Sequence, residues 1–174
     1  MTGTTILGSF LVYLSVLSSP PPYCKGPVRN GWAFVPLENK YLLQPIPFSV
    51  RSYTLPDLFA GKMHALLCRR WKNRVKGRDW FDLIWYCAYH PELHLSHLEQ
   101  RMRQSGHWED GDPLAASSFE RLVAESIGSL DVDQARQEVL PFVRQPEALE
   151  VWSREFFAEI VKRIKIIEIK KRAS

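Results

Sequence analysis

The chain has 174 residues, 45% hydrophobic, 12% aromatic and 24% charged, which suits one globular domain with a proper core, or a small domain with an appendage. Net charge is only +4, yet seven basic residues and no acidic one lie between Lys62 and Arg78, so the remainder is net acidic. A positive field that local suits a phosphate-bearing ligand or nucleic acid better than a general polyanion coat. Cys24, Cys68 and Cys87 are odd in number, far apart and free of any CxxC pair. They argue against a disulfide framework or a cysteine-based zinc site and point to a reducing cytoplasm.

The first apolar run, ILGSFLVYLSVL, has no Lys or Arg before it, and no small-x-small cleavage site follows. It is too short to span a membrane and reads as a buried strand over Ser9–Ser18, stopped by Pro20, Pro21 and Pro22. Trp32–Pro36 and Pro47–Tyr53 are two further extended pieces, the second alternating with a period of two in FSVRSY. Thr54-x-x-Asp57, with Pro56 in the first turn, opens a helix over 55–72 whose stripe is Leu55, Leu58, Phe59, Met63, Leu66 and Leu67. A basic loop follows and ends at Gly77; a second helix runs from Arg78 to Tyr89 and stops before Pro91. Ser96 can cap a third helix to Gln104, and further helices are expected at 113–127, 131–143 and 147–167. The expected architecture is α+β: a β-rich remnant of a palm over 1–53 and a larger helical domain over 54–174.

Lys62 borders the buried stripe, so it must reach solvent by its stem or meet an anion. Arg69 lies seven residues on, close to the same face, and together the two could clamp a triphosphate. Asp79 and Asp82 share a face of the second helix. Cations that hold phosphates beside a carboxylate that accepts a proton are what phosphoryl or nucleotidyl transfer requires. Each residue also has a plain structural role: acids favour a helix N-terminus, and a flanking lysine is commonly a solvated one. The set Cys87, His90, His94 and His97 has ligand-like spacing, but Pro91 breaks the helix and no carboxylate completes it, so it reads as a polar loop and cap. His64, beside the stripe, reads as a packed or hydrogen-bonded histidine.

The stretch LPDLFAGKMHALLCRRWKNRVKGRDWFDLIWY resembles the AbiEii/AbiGii-type toxin nucleotidyltransferases of bacterial toxin–antitoxin systems. The matching positions are Lys62, Ala65, Leu66 and Arg69 in K-x-x-A-L-x-x-R, and Arg78, Asp79 and Asp82 in R-D-x-x-D; the close likeness covers residues 41–89. The resemblance implies a nucleotidyltransferase-like palm followed by a helical domain, with NTP as substrate, Mg²⁺ as cofactor, RNA as a candidate acceptor and a cognate antitoxin as partner. It also implies nucleotide-phosphate contacts from Lys62, from Arg69 or Arg70 as alternatives, and from Arg78, and proton handling by Asp79 and Asp82. The family's metal-binding Asp-x-Asp has no counterpart, because no acidic residue precedes Glu38. The chain therefore reads as a truncated member, weak or inactive alone, with no membrane association. Two other readings stand beside it: a nucleic-acid-binding module working through the basic loop, and a partner-binding remnant without catalysis.

Overall fold

The computed structural model describes residues 37–43, 45–68, 76–109 and 111–167. The expected strands at 9–18 and 32–36, and Arg69, Arg70 and the rest of the basic loop to Val75, lie outside the described residues. Within them the chain is α+β and forms two compact units, Leu37–Ser52 and Tyr53 onward.

Strands β1 (Leu37–Leu42) and β2 (Phe48–Tyr53) pair in a two-stranded sheet. The second was expected from its alternation. The first was not, because LENKYL sets Leu37, Asn39 and Tyr41 against Glu38, Lys40 and Leu42, so neither face is apolar throughout. Lys40 and Glu38, two residues apart on one face, form an ion pair at 3.0 Å.

The helical unit begins with α1 (Leu55–Cys68) and α2 (Gly77–Tyr89), which pack through a parallel stack of Phe59 on Tyr86, centroids 4.5 Å apart. Pro91 ends α2 as expected, and its carbonyl accepts from Lys165 N–H at 2.8 Å. That bond leads into a short parallel pair, β3 (Glu92–His94) against β4 (Lys165–Ile167), in the register Glu92–Lys165, Leu93–Ile166, His94–Ile167. Helix α3 (Leu95–Gln104) follows directly. His94 and not Ser96 holds the N-cap position, and its side chain is engaged elsewhere.

Helices α4 (Ala116–Gly128) and α5 (Val132–Val139) fall where periodicity placed them. Asp131 caps α5 by accepting from Gln134 N–H at 3.0 Å. The last expected helix, 147–167, is not one helix. It breaks into a 3₁₀ turn (Pro146–Leu149), α6 (Arg154–Ile160), a second 3₁₀ turn (Val161–Arg163) and strand β4. Ser153 starts α6 afresh by accepting from Phe156 N–H, and the β-branched Ile164, Ile166 and Ile167 leave the helix for an extended course. Trp152 and Phe157, both buried, pack edge to face, and Phe157 meets Trp80 of α2 with centroids 4.8 Å apart. This aromatic cluster ties the C-terminal segments to α2.

Gly77 sets how closely α2 approaches α5. A Cβ at this position would collide with the Ala135 carbonyl oxygen and come within 2.7 Å of Val139 Cγ2. The Gly77 N–H, one of the unsatisfied donors of a helix start, donates instead to the Glu138 carboxylate. The glycine that ends the basic loop is therefore a packing requirement of the helix start.

Candidate functional site at the seam of the first two helices

Lys62 Nζ on α1 donates to Asp82 Oδ2 on α2 at 2.5 Å. The Phe59–Tyr86 stack sits one turn away on each helix and holds the two backbones at the distance this pair requires. The lysine side chain is about one-third exposed while the aspartate is nearly buried, so the cation faces solvent across an enclosed carboxylate. Burial pushes the Asp82 carboxyl above its ordinary range; Lys62, Arg78 and Lys76 pull it down without cancelling the effect.

Asp79, buried, lies in the first turn of α2, where its charge suits the positive end of the helix. Its neighbour Arg78 is exposed, and its guanidinium lies over the Phe142 ring, 4.9 Å from the centroid. Of the six residues singled out from the sequence, the structure brings Lys62 and Asp82 into contact. Asp79 sits on the same helix start, Arg78 packs on an aromatic ring, and Arg69 and Arg70 lie outside the described residues.

A second polar cluster, at the start of α1, was not anticipated. Asp57 is buried, and its Oδ1 accepts from His94 Nδ1 at 2.7 Å and His97 Nδ1 at 3.1 Å. Its Oδ2 accepts from Thr54 Oγ1 at 2.5 Å. An ionised carboxylate only accepts, so both imidazoles carry their proton on Nδ1 in this arrangement. Burial alone would raise the Asp57 pKa, but hydrogen bonds from His97, Thr54 and His94 together hold it below the ordinary carboxylate value. The Thr54-x-x-Asp57 signal did mark the helix start. Its side-chain bond, however, runs from the threonine to the aspartate and not to the backbone. The signal for the cluster was the pair His94-x2-His97, which the turn from β3 into α3 aims at one oxygen. His90 lies against Trp85 with the rings tilted, Cys87 is buried, and the four residues with ligand-like spacing do not converge.

The carboxylates of the described residues do not make a magnesium site. Mg²⁺ takes a near-octahedral shell of hard oxygen donors, whereas Asp82 already faces an ammonium and Asp57 is sealed under two imidazoles. Among the described residues no three carboxylates converge on one point.

The arrangement defines a helical unit that holds an enclosed carboxylate against a partly exposed cation, at the motif positions where a proton-handling acid and a phosphate contact were expected. Residues 21–163 match the family described as nucleotidyl transferase AbiEii toxin of a type IV toxin–antitoxin system, and the chain belongs to that family. No curated protein and no solved structure gives a match. No helix among the described residues is long and apolar enough to cross a membrane.

Proposed function

We propose that this helical domain serves nucleotidyl transfer: Lys62, with Arg69, binds the phosphates of an NTP, and Asp82, supported by Asp79, takes the proton of the acceptor hydroxyl. The observation that carries this reading is the Lys62–Asp82 contact between α1 and α2. Family membership adds the reaction class.

In the contact as it stands, the ammonium neutralises the carboxylate. An incoming triphosphate competes for the same ammonium with more charge and with oxygens open to solvent. As Lys62 turns to the phosphate, Asp82 loses its nearest counter-charge inside an enclosed site. Its affinity for a proton then rises, which is the property a general base needs. The acceptor hydroxyl attacks the α-phosphorus, its proton passes to Asp82, and pyrophosphate leaves with the bridging electron pair. Partner exchange at Lys62 thus couples nucleotide binding to activation of the base. No step is assigned to Mg²⁺, because the described residues do not hold it. The acceptor class is RNA, the cellular partner is a cognate antitoxin, and the compartment is the cytoplasm.

Binding of a fluorescent NTP analogue and transfer from labelled NTP to RNA test this separately. Lys62→Ala should weaken nucleotide binding at least about tenfold, the loss of one charge-assisted contact. Asp82→Asn should retain binding and lose transfer. Unchanged NTP affinity in Lys62→Ala would remove the assignment.

A further inference from the structure

We propose that His64, Cys68 and His107 form a binding site for a thiophilic divalent cation of the zinc class, with a fourth coordination position open to water or an outside ligand. One ligand atom from each of the three lies within 4.8 Å of the other two. The site is distinct from the Lys62–Asp82 pair and does not depend on the nucleotidyl-transfer reading.

Local folding explains the convergence. His64 and Cys68 are four residues apart on α1, so their side chains lie one above the other on one face. The third member comes from the turn after α3. Gly106 takes φ 70°, a left-handed conformation that favours glycine, and its N–H bonds to the Arg103 carbonyl at 3.1 Å. The His107 N–H bonds to the Met102 carbonyl at 2.8 Å. These two bonds are the pair that defines a Schellman turn, and they fold the chain back so that His107 meets His64 edge to face, centroids 6.4 Å apart.

The two imidazoles are aimed at a common point. Ser105 Oγ lies 2.8 Å from His64 Nε2 and 2.9 Å from His107 Nδ1. The hydroxyl also reaches the Met102 carbonyl at 3.1 Å, a bond it keeps when the imidazoles turn to a metal. A tetrahedral zinc ion, with bonds of about 2.0–2.3 Å, needs its ligand atoms roughly 3.3–3.8 Å apart. The observed separations therefore close by small side-chain rotations. Cys68 is buried at the base of the site and His107 is exposed at its mouth, which leaves an entry path.

The donor set selects the ion. Two imidazole nitrogens and one sulfur suit zinc-class ions and suit Mg²⁺ or Ca²⁺ poorly. Cys68 binds such an ion as the thiolate, its proton being released as the ion enters. The linear spacing His64-x3-Cys68 with a histidine at 107 matches no compact zinc motif, so the absence of CxxC pairs pointed away from this site.

The test uses the full untagged chain, reduced and stripped with a chelator, then titrated with Co²⁺ and with Zn²⁺ against a chromophoric competitor. One equivalent of Co²⁺ should bring a thiolate-to-cobalt charge-transfer band, which Zn²⁺ then removes. Cys68→Ser should abolish the band. His107→Ala alters an exposed side chain, so it should leave the circular dichroism unchanged while weakening Zn²⁺ at least about tenfold. If Cys68→Ser does not fold, the His107→Ala affinity decides alone. Absence of the band in the parent chain, or unchanged Zn²⁺ affinity in His107→Ala, would overturn the site.

Discussion

Asp57 and Asp82 are both buried, and burial raises the pKa of each, but their neighbours leave them on opposite sides of the ordinary value. Asp57 receives three hydrogen bonds, and these outweigh its desolvation. Its folded pKa lies below the unfolded one. The resulting stability is present above the ordinary carboxylate pKa of 3.8 and is lost as pH falls through the folded value. Asp57→Asn should therefore destabilise the chain at neutral pH by about 2–3 kcal/mol, the worth of hydrogen bonds to a charged group. It should also flatten the acid limb of the stability profile, as urea unfolding between pH 7 and the carboxylate range will show. Asp82 has the opposite sign: its contribution is fully present below the unfolded pKa and falls as pH rises through the raised folded value. At neutral pH its ionised form therefore costs stability.

Helix positions were the most legible part of the sequence. The starts of α1 and α2 and the stop before Pro91 follow from apolar spacing and from punctuation by proline and glycine. The C-terminal stretch was misread because VKRIKII supports a helical stripe and a period-two strand alike, and the choice fell to pairing with β3. Gly77 shows the other limit of local reading. In the sequence it ends a basic loop, whereas in the fold it admits the Ala135 carbonyl and Val139. Gly77→Ala should cost about 1–3 kcal/mol through overpacking, even though alanine is the better helix former. A thermal melt by circular dichroism checks this; a stabilised variant would show that α2 and α5 can separate without cost.

The helical unit as a whole is held by aromatic contacts between segments distant in sequence. Phe59 on Tyr86 joins α1 to α2, and Phe157 with Trp80 and Trp152 joins the C-terminal helix to α2. Phe157 is fully buried, so Phe157→Ala should cost about 3–5 kcal/mol by cavity formation and loosen α6 first. Hydrogen exchange on α6 compared with α1 would reveal that order. The candidate residues could be read from the chain itself, because charge, helical spacing and a family motif are local properties: Lys62 as a candidate phosphate contact and Asp79 and Asp82 as candidate proton acceptors were in view before any fold. Tertiary structure alone decided which of them meet. It set Lys62 against Asp82, drew His94 and His97 onto Asp57, and brought His107 to His64 and Cys68. These pairings depend on helix packing and on a left-handed turn at Gly106, and the geometry of both is set by contacts far apart in sequence.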